Sequence, residues 1–198
     1  YERLDITEEN LKRTLSAGEH VGFNITMPHK QVVMQHLDEI SPLTERVGAV
    51  NAITIKDGKL FGDNTDVHGT KTIIGQNVTQ RDNAVVLGAG GASRAVCYGL
   101  KELGFANIFL LNRTLEKAEA IAEDIGGITP QPWDERDSLL PEANLVINTT
   151  SIGLKGEMVD VDLNKLNSAA AVADIVYRPE GTKLIEMADS LGFKTIDG

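Results

Sequence analysis

The stretch VVLGAGGASRAV, residues 85–96, constrains this chain more than any other. An apolar run ending at Leu87 leads directly into Gly88, Gly90 and Gly91, and then into a helix-like segment. A strand that turns sharply and leaves as a helix is the opening unit of a parallel sheet, because parallel neighbours need a crossover. The rest of the chain keeps that rhythm. From Asn83 the runs AVVLGA, IFLLN, ITPQPW, LVINTT, VADIVY and KTID alternate with helical or shorter linking stretches. Residues 67–198 are therefore expected to form an α/β domain with a doubly wound, Rossmann-like parallel sheet.

The first 66 residues read differently. Thr7 followed by Glu8 and Glu9 opens a helix that Gly18 closes. His20 to Thr26 reads as a strand, and Val32, Val33, Leu37 and Ile40 predict a helix from Pro28 to Ile40. Leu43 to Val47 suggests another short helix, and AVNAITIKDGKLFGDN places two strands around Asp57-Gly58, a hairpin signal. A helix is expected from Asp66 to Ile74. Residues 1–66 form a separate, incomplete α/β domain on this reading.

The glycines carry chemistry as well as shape. Gly88 permits the tight turn, Gly90 lets backbone approach a pyrophosphate, and amides at the helix start, over Gly91, Ala92 and Ser93, face phosphates. Ser93 stands where the G-x-G-x-x-G pattern has its third glycine, so the match is imperfect, and a plain glycine-rich turn is the alternative. The second strand ends FLLNRT. An NAD site usually carries Asp or Glu here for the ribose 2′-hydroxyl. This chain has Asn112, Arg113 and Thr114, with Lys117 on the next turn. A carboxylate would repel a 2′-phosphate, whereas these cations attract one, so NADP(H) is the expected cofactor. A solvated basic spot is the alternative. Thr150 and Ser151, in NTTSIG after a later strand, are further candidates for contact with the cofactor.

Composition narrows the partners. The net charge of −10 argues against bulk binding to nucleic acid or an anionic membrane. No apolar run reaches the length of a membrane span. One cysteine, Cys97, excludes an intrachain disulfide framework and suits a reducing compartment; the expected location is cytoplasmic. Cys97 follows the glycine loop on a helix and reads as a small buried residue. His29 and His36 lack the spacing of a metal pair and read as surface or helix-flank residues, so no metal site is expected.

Lys30 ends GFNITMPHK, and the predicted helix would place it at the positive helix end, where a cation is disfavoured. Such a lysine becomes an acid–base group or half of an ion pair. Asp66, where the hairpin ends and a helix begins, offers the other half.

The stretches GFNITMPHK, GAVNAI, GDNTD, VVLGAGGASRA, LLNRT, LVINTTSIGL and DIVYRP together resemble the shikimate dehydrogenase family, in its order and over most of the chain. The resemblance implies reversible NADP-dependent reduction of 3-dehydroshikimate to shikimate. It implies that Lys30 is the catalytic lysine and Asp66 its partner. Thr26, Asn51 and Tyr177 become substrate contacts, and Asn112, Arg113 and Lys117 a clamp on the 2′-phosphate. Many members carry arginine where Lys117 stands, which implies weaker phosphate affinity here. The family's substrate-carboxylate serines would lie ahead of Tyr1, and a substrate-touching glutamine after Gly198. The chain thus reads as truncated at both ends, with weak or no activity expected of these 198 residues alone. Monomer and homodimer both remain open. Rival readings are a quinate-accepting or NAD-using enzyme, a non-catalytic NADP-binding module, and a folate-linked dehydrogenase of similar plan.

Overall fold

Glu8 and Glu9 at one end and Lys12 and Arg13 at the other match the helix dipole, and they bound α1 (Glu8–Leu15). Its buried residues, Leu11 and Leu15, pack with Val33, Val50, Ile53 and Leu60 into a small core. The computed structural model describes residues 2–198, and these divide into two compact units between Asp66 and Val67.

The first unit is built on a four-stranded sheet. After α1 come β1 (Gly22–Asn24), β2 (Glu39–Ile40), α2 (Pro42–Val47), β3 (Ala52–Lys56) and β4 (Lys59–Asp63). The strand order is β1-β3-β4-β2. β3 and β4 form the expected hairpin, with Asp57 at φ 52° and Gly58 at φ 76°, the doubly positive pair of a tight turn. Ser41 caps α2 through its hydroxyl, and Gly48 ends it in the left-handed conformation at φ 68°.

Two expectations fail in this unit. No α-helix runs from Pro28 to Ile40. Residues 27–31 are turns, Val32–His36 is a 3₁₀ segment, and Glu39–Ile40 pairs in parallel with Phe61 and Gly62. Adjacent β-branched Val32 and Val33 are poor α-helix formers, and sheet pairing, reinforced by Asp38 accepting from the Leu60 amide at 2.8 Å, overrides the helical spacing. Lys30 therefore sits in a turn, not at the positive end of a helix. The strand expected over His20–Thr26 shrinks to three residues.

The second unit begins along α3 (Asp66–Asn77), three residues longer than expected. It continues through β5 (Asn83–Leu87), α4 (Gly91–Glu102), β6 (Asn107–Asn112), α5 (Leu115–Ile125), β7 (Thr129–Pro132), α6 (Arg136–Leu139), β8 (Leu145–Asn148), β9 (Ala171–Asp174), α7 (Lys183–Ser190) and β10 (Lys194–Ile196). All neighbouring strands pair in parallel, in the order β10-β9-β8-β5-β6-β7. The chain starts at the centre with β5 and winds outward in both directions, so the order reverses between β5 and β8. The links on either side of β8 hold no long helix and are made of 3₁₀ turns, the four-residue α6 and loops. β8 and β9 are buried along their whole length, as near-continuous apolar runs require.

Candidate active site

In the first unit the segment Ala49–Asn51 acts as a spine. The Val50 amide donates to the Lys30 carbonyl at 2.7 Å, and the Asn51 amide donates to the Asp63 carbonyl at 3.1 Å. The Asn64 side chain donates to the Ala49 carbonyl at 2.8 Å. These bonds bring the Lys30 turn and the NTD stretch to the same short piece of chain. Lys30 Nζ then lies 2.6 Å from Asp66 Oδ2. Asn51 Nδ2 donates to Asp66 Oδ1 at 2.6 Å and to Thr65 Oγ1 at 2.9 Å, while its Oδ1 accepts from the Thr65 amide at 2.8 Å. Each carboxylate oxygen of Asp66 thus holds a donor. Asp66 is also the first residue of α3, where the helix dipole favours negative charge.

This pair is only partly shielded: the Lys30 side chain is 16% exposed and that of Asp66 31%. Its bonds are charge-assisted and short, yet water reaches them. An ammonium has three protons, and Asp66 takes one. Lys30 is therefore oriented and still able to donate. Thr26 is exposed and lines a cavity of about 400 Å³ with Phe23, Ile25 and His29, between α1 and β1.

In the second unit the glycine loop has the form its residues demand. Gly88 adopts φ +101°, and a Cβ there would lie 2.6 Å from Thr150 Cγ2. Gly90 is extended, and a Cβ would meet no atom within 4 Å. That open space beside the first turn of α4 is where a phosphate fits. The amides of Gly91, Ala92 and Ser93 have no intrahelical carbonyl to bond, so they are available to an anion. Ser93 does more than replace a glycine. Its buried hydroxyl accepts from the Gly90 amide at 2.8 Å and donates to the Gly90 carbonyl at 2.6 Å, tying the loop to the helix.

Asn112 is engaged with the same loop. Its Oδ1 accepts from the Ala89 amide at 3.2 Å and its Nδ2 donates to the Thr114 carbonyl at 2.8 Å. Arg113, Thr114 and Lys117 are exposed around the start of α5. The residues present therefore fit a dinucleotide with a 2′-phosphate: open backbone beside Gly90 and two exposed cations at the end of β6. Tyr177 follows β9 and is 67% exposed. Thr150 sits against the glycine turn, and Ser151 is exposed beside it.

Sequence reasoning missed the groups beneath these loops. Asn148, Asp174 and Thr182 are buried polar residues joined by hydrogen bonds, and buried Thr149 donates from its hydroxyl to the Leu87 and Gly88 carbonyls. Asn148 and Asp174 close β8 and β9, so a polar residue ending an apolar strand was the available signal. His29 stands in the turn that leads into the Val32–His36 3₁₀ segment. It is half-buried, with Nε2 2.9 Å from the Ile6 carbonyl. Cys97 is fully buried, which pushes its thiol up to about 12, away from any nucleophilic role. Among the described residues no group of three His, Cys, Asp or Glu side chains is placed to hold a metal, and no helix is long and apolar enough to cross a membrane.

Known proteins place the chain. Residues 1–53 match the family model for the shikimate dehydrogenase substrate binding domain, and residues 71–177 match that for shikimate / quinate 5-dehydrogenase. The shikimate dehydrogenase (NADP(+)) of Azorhizobium caulinodans is 44% identical over 186 residues, which are 90% of this chain and 66% of that protein. The chain thus spans about two thirds of that relative's length. Shikimate 5-dehydrogenase of Thermus thermophilus, solved with shikimate, superposes with a TM-score of 0.85 at 34% identity, covering 98% of this chain and 73% of that one. Quinate dehydrogenase of Corynebacterium glutamicum, solved with NAD, gives a TM-score of 0.84 at 31% identity, over 96% and 71%. Two matching domain models and identity of this level over most of the chain leave one conclusion: the chain belongs to the shikimate dehydrogenase family of oxidoreductases.

Proposed function

We propose that the protein interconverts 3-dehydroshikimate and shikimate, with NADP(H) held by residues 67–198 and Lys30 and Asp66 as the acid–base pair of residues 1–66. The observation that carries this reading is the 2.6 Å Lys30–Asp66 pair, locked by Asn51, with Lys30 and Asn51 in the segment that matches the substrate binding domain model. NADPH, when bound, supplies the hydride.

The chain's own residues do the rest. Gly88, Gly90, Gly91, Ala92 and Ser93 cradle the pyrophosphate, and Asn112, Arg113, Thr114 and Lys117 surround the 2′-phosphate. Thr150 and Ser151 border the nicotinamide end. Thr26, Asn51 and Tyr177 contact substrate. As a ketone is reduced, its oxygen gains negative charge. Lys30 stabilises that charge and delivers a proton to the oxygen; in oxidation it takes the proton back. Asp66 holds the ammonium in place, and Asn51 fixes Asp66. The acidic surface and the single buried cysteine fit a soluble cytoplasmic enzyme, acting on small molecules as a monomer or homodimer.

The test is NADPH consumption with 3-dehydroshikimate in the complete protein, with NADH and dehydroquinate as parallel arms. Turnover with NADPH and 3-dehydroshikimate is expected to dominate. Lys30→Ala should lower kcat by roughly 10²–10⁴-fold with little change in KM. A raised KM at unchanged kcat would reduce Lys30 to a tether. Tight NADPH binding without turnover would make the protein a binding module instead.

A further inference from the structure

Asp174 is 2% exposed, and no cation pairs with it among the described residues. It accepts three bonds from neutral donors: Asn148 Nδ2 at 2.8 Å and the Val176 amide at 3.0 Å on Oδ1, and Thr182 Oγ1 at 2.7 Å on Oδ2. Burying a carboxylate this way is costly, and an apolar residue would fill the same space more cheaply. Burial indeed pushes the Asp174 carboxyl up from its ordinary range, against those three donors. A group kept at such cost at the carboxyl end of an interior parallel strand points to the ligand edge of the sheet.

Its bonds lead there. Asp174 obliges the Asn148 amide to turn its nitrogen inward, so Asn148 Oδ1 faces Thr150. That oxygen accepts from the Thr150 amide at 3.0 Å and the Thr150 hydroxyl at 2.7 Å, and Asn148 Nδ2 also donates to the Ile152 carbonyl at 3.1 Å. Thr150 Oγ1 accepts from the Ile152 amide at 3.1 Å. Gly153, at φ +112°, faces Val176, Thr182 and the Asp174 carboxylate. From the other side, Arg178 donates to the Gly153 carbonyl at 3.2 Å. The loop after β8 and the segment after β9, which carries Tyr177, are thus braced as one piece around a single carboxylate.

The position of this piece gives it a role. In a doubly wound sheet a dinucleotide lies across the strand ends where the order reverses, here between β5 and β8. The adenosine half belongs with β6, where Arg113 stands, so the other half must lie toward β8 and β9. We propose that Asp174 is a positioning residue for the nicotinamide half of the cofactor, acting through Asn148 on the Thr150–Gly153 loop and through the Val176 amide on the Tyr177 segment. This rests on the reading of residues 67–198 as the NADP site.

The experiment compares two ligands, NADPH and 2′,5′-ADP, which shares the adenosine and 2′-phosphate but has no nicotinamide. Binding of both by the unsubstituted protein tests the NADP reading; absence of both defeats that reading, and the proposal with it. Asp174→Ala should weaken NADPH by about tenfold, the scale of stranding buried donors, and leave 2′,5′-ADP within about twofold. Equal losses for both ligands, or no loss for either, would overturn the positioning role. Should Asp174→Ala fail to fold, Asp174→Asn keeps the shape, but an amide cannot accept at both oxygen positions. Its NADPH to 2′,5′-ADP affinity ratio should fall severalfold, and a ratio equal to that of the unsubstituted protein would overturn the proposal.

Discussion

Lys30 meets Asp66 across 36 residues of chain, through side chains alone. Gly88 to Ser93 shape their loop within one short stretch, mostly through backbone. The first arrangement depends on a spine, Ala49–Asn51, that gathers two distant segments, so the Lys30 or the Asp66 side chain can be removed without breaking the backbone bonds of that spine. The second has almost no side chains to remove, and its weak points are the places where a side chain must be absent. Function and stability should therefore separate cleanly in the first unit and only at particular positions in the second.

The largest expected effect is in the first unit. Asp66→Ala strips the orienting partner from Lys30 and should lower kcat by roughly 10²–10⁴-fold. Thermal unfolding should shift only modestly, since the pair is only partly shielded and water can take the place of the lost carboxylate. A variant that loses activity only by unfolding would erase the contrast between the units.

Next comes a pair of glycines. Gly88→Ala forces a side chain onto φ +101° and into Thr150, so it should cost stability by about 1–3 kcal/mol and NADPH binding together. Gly90→Ala adds a methyl to open space on an extended residue, so melting should be unchanged while NADPH affinity falls. If both glycines behave alike in melting and in NADPH titration, the loop is not the phosphate cradle described here. Smaller again is Arg113→Ala. Loss of one charge-assisted contact should weaken NADPH by about tenfold and leave NADH almost unchanged. Equal weakening of both cofactors would remove Arg113 from the 2′-phosphate.

The same contrast explains what could be read from the residues in advance. The parallel sheet was legible because buried strands are continuous apolar runs and the glycine loop is local; AVVLGAGGA carries its own geometry. The hairpin at Asp57-Gly58 was legible for the same reason. The region from Pro28 to Ile40 was not, because sheet pairing of Glu39 and Ile40 with β4 is a long-range event that helical spacing cannot register. The Lys30–Asp66 pairing was suggested by a helix-end argument whose helix does not form, and the resemblance supplied the roles. Its geometry needed the spine, whose backbone bonds leave no mark in spacing. Asn112 shows the limit on a single residue. Its position suggested the cofactor, yet its side chain is occupied by the Ala89 amide and the Thr114 carbonyl, so it shapes the loop as well.

Asp174 is where the second unit departs from its own rule, since a side-chain cluster rather than backbone sets the loop. Titration offers the gentlest way to probe that exception. Burial raises the folded-state carboxyl above its ordinary 3.8. The folded protein therefore holds this proton more tightly than the unfolded chain does. The resulting stabilisation is fully present below the unfolded value and is lost as pH rises through the raised folded one. Asp174→Asn cannot titrate. Urea midpoints measured for both proteins from about pH 3 upward should show the unsubstituted protein losing stability relative to the variant as pH rises. A difference that runs the opposite way would mean the three donors outweigh burial. Asp174 would then be held as a comfortable carboxylate, and the second unit would rest on a side-chain site as firmly as the first rests on Lys30 and Asp66.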